Sequence, residues 1–428
     1  VSRTSSLAAG AAVIALAGCN VPVRHGGGGV GTLDAAGGMD GSAGSECGRG
    51  VVVVEQGPDY LSTNVALLAN DGSVLQGSLA SSATSSVGLT APLSGDVVPP
   101  TAAADSGEVV VVDRGAGASR LVWVDLATAK RRVLPVDTGF DSNPQDYAQI
   151  SATKAYVPRY GQNRSPGEMP FDSGSDLLIV DPTALTITGS IDLRPVVDEA
   201  STHTLPDAAK TVVLGSRAYA LLSVLSASPD SSANASSRLV TVDVESDAIQ
   251  GVLSLDGFED CAGLAVSPDR KNIAVFCSGG GNIQASPTEL AGSGVVVVDI
   301  TSTPAIEKSF RAADLGQNRV GFFGDYSSDA SLVFQTFGYT DVSTGASSKD
   351  TLVRLDLASG QNAILLDGTP FSIGGIACTC GACFVADSDR QGGVVHRFSV
   401  DGRGALSNDR PIKVERDPGL LPRTLGKF

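Results

Sequence analysis

Val296-Val297-Val298-Asp299 is one of five near-copies of a single phrase in this chain, an apolar β-rich run closed by aspartate. The others are Val122-Trp123-Val124-Asp125, Leu178-Ile179-Val180-Asp181, Val240-Thr241-Val242-Asp243 and Val353-Arg354-Leu355-Asp356. Weaker copies end at Asp71, in Ala66-Leu67-Leu68-Ala69-Asn70-Asp71, and at Asp401, in Phe398-Ser399-Val400-Asp401. The seven aspartates fall roughly 45 to 62 residues apart. A β-rich unit of that length, repeated seven times, predicts a β-propeller. A β-sandwich with accidental similarity is the competing arrangement.

Each unit reads as four strands, A to D. In the fifth, Ala262 to Val266 is strand A and Ser267-Pro268-Asp269-Arg270 is the turn. Strand B is Asn272 to Phe276, strand C is Val295 to Asp299, and strand D is near Ile306 to Phe310. Aspartate accepts hydrogen bonds from backbone N–H groups one or two residues on. The repeated Asp after strand C is therefore expected to cap the C–D turn, a structural role and not a catalytic one.

Ala155-Tyr156-Val157-Pro158-Arg159-Tyr160-Gly161, followed by Leu178-Ile179-Val180-Asp181, resembles the YVTN-type propeller repeat. Ser267-Pro268-Asp269 with Ile273-Ala274-Val275 is similar to the Ser-Pro-Asp-Gly turn of YVTN and TolB-like propellers. The resemblance implies an all-β, seven-bladed propeller of four-stranded antiparallel blades over residues 51–428. Arg159 stands where that family usually has Asn.

The first unit lacks a strand A, because Val51 to Val54 reads as its strand B. The last unit finishes near Ile412 to Val414, yet Leu420-Leu421-Pro422-Arg423-Thr424-Leu425 remains. That tail is expected to supply the missing inner strand and close the ring. Closure removes open sheet edges, and the protein is expected to act as a monomer.

Seven cysteines fit this register. Cys261 begins strand A and Cys277 ends strand B of the fifth unit, opposite each other. Cys378 and Cys383 flank a two-residue turn and fall within disulfide reach. Cys47 and Cys380 remain, on blades that adjoin in a closed ring. A Cys47–Cys380 bond is expected there, with Cys47–Cys378 and Cys47–Cys383 as alternatives.

The seventh cysteine, Cys19, has another role. A single basic residue, Arg3, and an apolar stretch from Leu7 to Ala17 precede it. This is the pattern of a secretory signal, too short to span a bilayer. Leu16-Ala17-Gly18-Cys19 resembles a bacterial lipobox, which implies a signal peptide over 1–18 and lipidation of Cys19. Residues 19–50 are rich in Gly, Ala and Ser and read as a flexible tether. Asn20 stands where an Asp would favour retention in the inner membrane, so the outer membrane is the expected location.

Composition narrows the function. Lys and Arg number 30 against 46 Asp and Glu, a formal net charge of −16. Such a chain repels nucleic acid, and no nucleic-acid partner is expected. Only three histidines occur, with His25 in the tether, which disfavours a histidine-based zinc site. His203 and His396 have no recognisable catalytic companions in sequence. No Gly-x-Ser-x-Gly, His-Glu-x-x-His, P-loop or EF-hand pattern occurs.

Propellers bind ligands on the face built by D–A and B–C connections. The long B–C loops, near 161–176, 226–237, 278–293 and 338–349, are candidates. The D–A connections bring Asp141, Asn143 and Asp146, then Glu199 and His203, then Glu259 and Asp260, then Asn318 and Arg319 to the expected channel rim. Oxygen ligands from several blades are the type calcium takes, but none has a recognisable spacing, and no metal or other cofactor is expected. Three functions compete: a lipid-anchored envelope scaffold binding a protein or glycan, a calcium-dependent hydrolase of lactonase type, and a purely structural envelope component.

Overall fold

Apolar runs buried on both faces make the middle strands, and alternating runs make the outer ones. Ser293–Asp299, the sequence SGVVVVD, is buried along almost its whole length. Ile249–Ser254 alternates between half-buried and exposed, as an outer strand must. The computed structural model describes residues 48–83, 92–104, 107–115, 117, 119–197, 204–226, 235–279, 290–316, 318–338, 347–379, 381–389, 392–414 and 419–428. They form seven four-stranded antiparallel blades.

From the inner strand outward, blade 2 is Val97–Val98, Glu108–Asp113, Arg120–Asp125 and Arg131–Pro135. Blade 3 is Ala148–Ser151, Lys154–Gln162, Gly174–Asp181 and Thr186–Asp192. Blade 4 is Ala208–Leu214, Arg217–Leu222, Arg238–Asp243 and Ile249–Ser254. Blade 5 is Cys261–Val266, Asn272–Ser278, Ser293–Asp299 and Ala305–Arg311. Blade 6 is Arg319–Ser328, Ser331–Phe337, Asp350–Asp356 and Asn362–Gly368, and blade 7 is Ile373–Thr379, Ala382–Asp387, Val394–Val400 and Leu406–Ile412. A short ribbon, Thr204–Leu205 with Leu225–Ser226, adds to blade 4 and was not expected.

Blade 1 closes the ring as the leftover tail predicts. Gly50–Gln56, Thr63–Ala69 and Val74–Ser81 take their inner strand from Leu421–Lys427 at the other end of the chain. Val51 faces Lys427 and Val53 faces Leu425. The next inner strand approaches this one so closely that only glycine fits. A Cβ at Gly374 would lie 2.3 Å from the Arg423 carbonyl, and one at Gly375 2.2 Å from the Leu425 nitrogen.

The core is not one mass but seven, one between each pair of blades. Val52, Val65, Val109 and Val122 fill the seam between blades 1 and 2. Ala377, Phe384, Val53 and Leu425 fill the seam between blades 7 and 1. At about 1.5–3 kcal/mol per fully buried Val or Leu side chain, these clusters outweigh any single polar contact.

The C–D turns carry the expected caps. The carboxylate of Asp125 accepts from the backbone N–H of Ala127 at 3.0 Å and of Thr128 at 2.7 Å. Asp181, Asp243, Asp356 and Asp401 each accept two such bonds in the same way. Asp71 accepts from Ser73 and Asp299 from Thr301, through backbone and hydroxyl alike. A long cationic side chain then reaches from one blade to a carbonyl in the next blade's turn. Lys154 donates to Val244 at 2.8 Å, Arg217 to Ser302 at 2.7 Å and Lys308 to Leu357 at 3.0 Å. Arg354 donates to Gly404 at 3.0 Å, Arg397 to Asn70 at 2.9 Å, and Arg132 to Pro182. At the seam of blades 1 and 2 the direction reverses, with Arg131 donating back to Leu79 at 2.6 Å.

Two disulfides join inner strands to their neighbours. Cys261 pairs with Cys277, with Cα atoms 3.8 Å apart, and Cys378 with Cys383, at 4.0 Å. Both are directly opposed in register, as the sequence predicts. Cys19, Cys47 and Cys380 lie outside the described residues. Disulfides are characteristic of extracytoplasmic proteins, and among the described residues no helix is long and apolar enough to cross a membrane.

Candidate functional site: the connection face

Inner strands start, and second strands end, on the face of the D–A and B–C connections. Polar side chains from these positions build the mouth of the central channel. On blades 2 and 3, the Arg114 guanidinium donates to Asp96 at 2.6 Å and to the Gln145 side-chain oxygen at 2.6 Å. The Gln145 amide donates in turn to the Asn143 side chain at 2.6 Å.

Across blades 3, 4 and 5, Tyr160, Asp207 and Asp260 come together. Burial pushes the Asp207 carboxyl up to about 7, and the neighbouring Asp260 adds to the shift. Burial also raises Asp260, although the Ser278 hydroxyl donates to it at 2.6 Å and Arg319 lies near. The Tyr160 hydroxyl is raised by burial first, then by both carboxylates. Lys210, on the inner strand of blade 4, is pushed down by burial, with Asp146 opposing and Arg114 adding to the shift.

The nominated rim residues divide by fate. Asp146 is fully buried in the inner ring, where its carboxylate is consumed. It accepts from the Thr101 backbone at 2.8 Å and hydroxyl at 2.7 Å on blade 2, and from the Thr211 N–H at 3.1 Å on blade 4. Asp325 repeats this on the opposite side. It accepts from the Cys378 N–H at 2.7 Å on blade 7 and pairs with Lys427 at 2.7 Å on blade 1. Each aspartate thus ties three blades. Asn318 donates to the Lys349 carbonyl at 3.1 Å, Arg319 is buried, Glu259 is half-buried and Asp141 is exposed. Glu199 and His203 lie outside the described residues. Among the described residues no three His, Cys, Asp or Glu side chains gather as metal ligands.

Sequence reasoning missed Asp207, Lys210, Asp96 and Arg114, none of which belongs to a spaced motif, and the role of Tyr160, at a variable position of the repeat. It also missed the partners of His396. The imidazole Nδ1 lies 2.9 Å from Asp409, and Nε2 lies 3.5 Å from Asp387, both on blade 7. Burial lowers this imidazole, but the two carboxylates overcome it and hold its pKa above the ordinary value.

Arg159, where the resemblance leads one to expect Asn, is a fully buried anchor. It clasps Asp176 with Nε at 2.7 Å and Nη2 at 2.6 Å, and donates to Thr138 and to the Phe171 carbonyl, each at 2.6 Å. It thereby fixes the long B–C loop of blade 3.

Among the described residues the exposed large apolar side chains sort into two places. Val74, Leu75, Val252, Ile306 and Ile364 lie on the outer strands of their blades. Tyr60, Leu61, Met169, Phe171 and Phe371 all lie on the connection face, with Leu61 75% exposed. Phe371 extends a row of rings across blades 6 and 7. Phe322 meets Phe337 at 5.4 Å, and Phe337 meets Phe371 at 5.9 Å.

No protein-family model matches this sequence, and no curated protein does. Solved propellers match its fold. A putative 6-phosphogluconolactonase from Bacteroides fragilis is 12% identical, with a TM-score of 0.54 over 90% of this chain and 99% of that one. Its counterpart from Bacteroides uniformis is 11% identical, with a TM-score of 0.51 over 89% and 100%. The periplasmic gluconolactonase of Pseudomonas aeruginosa is 12% identical, with a TM-score of 0.50 over 88% and 98%. At such identities the likeness is one of fold alone.

Proposed function

We propose that this protein is a lipid-anchored binding propeller of the bacterial cell envelope that holds a protein or glycan on its connection face. The supporting observation is the placement of Tyr60, Leu61, Met169, Phe171 and Phe371 on that face. The other exposed apolar residues lie on outer strands, whereas these five lie on loops of one face, the kind of segment that carries binding residues. Aromatic side chains are the usual anchors of such sites. The Phe322–Phe337–Phe371 row places three such rings together on that face.

The calcium-dependent hydrolase reading has less support. Asp146 spends its oxygens inside the fold, and Asp207 and Asp260 are shifted toward the protonated form. A hard cation needs several ionised or carbonyl oxygens at once. Capture from envelope extract tests the main reading. A partner retained by the wild type and lost by a Leu61→Ser, Phe371→Ser variant supports it. Equal retention by both sinks it, and a stoichiometric calcium titration restores the hydrolase reading. The tether is tested separately: Cys19→Ala is expected to release the protein from membranes.

A further inference from the structure

A cleft of about 380 Å³ lies between blades 2 and 3, on the face of the A–B and C–D turns. Glu108, Trp123, Arg132, Tyr147, Gln149 and Thr183 are among its walls. The ring of Tyr147 meets Trp123 edge to face at 5.7 Å. The Arg132 guanidinium sits 5.3 Å over the Trp123 ring and clasps Glu108 at 2.6 and 3.2 Å. Tyr147 is 1% exposed; the Trp123 indole N–H interacts with its hydroxyl, which among the described residues donates to no acceptor. Among the described residues the side-chain oxygen of Gln149 has no donor, while its amide donates to the Ser151 carbonyl at 3.3 Å.

We propose that this cleft is a second binding site, for one neutral polyhydroxylated unit such as a sugar residue. Arg132 and Glu108 neutralise each other, so the cleft offers no net charge to an ion. A buried polar group left without a partner is costly, and a ligand that supplies the partner recovers that cost. The site lacks an acceptor at Tyr147 and a donor at Gln149. A hydroxyl group provides both functions, and adjacent hydroxyls can meet two such groups together. The volume lies at the low end of the roughly 300–1,000 Å³ typical of small-molecule sites. Burial pushes the Tyr147 hydroxyl up to about 12, so it remains a donor at neutral pH.

Trp123 is the single tryptophan of the chain, so its emission reports directly on this cleft. The full chain is titrated with glucose, galactose and N-acetylglucosamine, and with glucuronate as the charged comparator. The expected result is a saturable change with a neutral sugar and a weaker one with glucuronate. Tyr147→Phe is expected to weaken binding about tenfold, equivalent to about 1.4 kcal/mol, and Gln149→Leu similarly. Tyr326→Phe, at the matching position of blade 6, is expected to leave affinity unchanged. No saturable change with any neutral sugar, tighter binding of glucuronate, or unchanged affinity in both cleft variants overturns the proposal.

Discussion

The two faces of this propeller are built on different terms. On the turn face one solution recurs: an aspartate caps its own turn, and a long cation from the neighbouring blade reaches the turn's carbonyl. On the connection face the blades share less, although blades 2 and 3 each bury an Arg–Asp pair where strand B ends and strand C begins, and Ser237 and Ser293 each accept from the next inner strand at 3.0 and 2.9 Å. Beyond those, blade 4 has a ribbon, and a row of phenyl rings spans blades 6 and 7. Left-handed backbone falls on bulky residues here, with φ of 57° at Tyr60, 59° at Phe171, 54° at Val224 and 64° at Phe371. Such conformations persist only where the surroundings over-determine them, and they gather at functional sites. The turn face repeats one inter-blade contact around the ring, whereas the connection face carries the loops that differ from blade to blade.

Four experiments can break or sharpen that contrast. The largest effect is expected at Arg159. Replacing it by Met strands the buried Asp176 carboxylate, and loss of one partner of a buried pair costs about 3–5 kcal/mol. Urea denaturation should show this, with Asp176→Leu added to Arg159→Met recovering much of the loss. A change under 1 kcal/mol would mean that the connection face does not depend on this anchor.

Asp207 comes next. Its native pKa of about 7 stands above the unfolded value of about 3.9. The native state therefore binds more protons between those values, and stability falls as pH rises from about 4 to 7. Asp207→Asn removes that term. The variant should gain on the wild type as pH rises through that window and hold its gain above it. A difference independent of pH would place the carboxyl in water. His396 acts in the same direction: its native pKa is raised, so its contribution is full below about 6.5 and is lost as pH rises through the native value.

A single turn cap matters less. Asp299→Ala removes bonds to Thr301 and should lower the melting temperature only slightly. The same change at Asp125, in a distant blade, should add to it nearly independently. Strong coupling between the two would show that the turns act as one ring and not as separate units. The smallest effect on stability is expected at Phe371. Phe371→Ser on the exposed loop should change unfolding free energy by no more than about 0.5 kcal/mol, while abolishing partner retention. A large loss of stability would make the phenyl row part of the core.

Asp125, Asp181, Asp243, Asp299 and Asp356 made the blade count legible, because a cap is decided within three residues of the aspartate itself. Strand closure and two disulfides followed from the same register, since the residues concerned face each other once each unit is aligned. Asp146 shows where that reasoning stops. It stands among polar neighbours in sequence and looks like a rim ligand. Its partners at Thr101 and Thr211 lie 45 and 65 residues away, on other blades, and they alone make it structural. The meeting of Tyr160, Asp207 and Asp260, the companions of His396 and the cleft beside Trp123 belong to the same class. The sequence alone determined what hydrogen bonds within a turn and a repeating period can specify. The tertiary structure decided which polar groups are buried together, because that depends on the packing of one blade against the next and leaves no periodic trace.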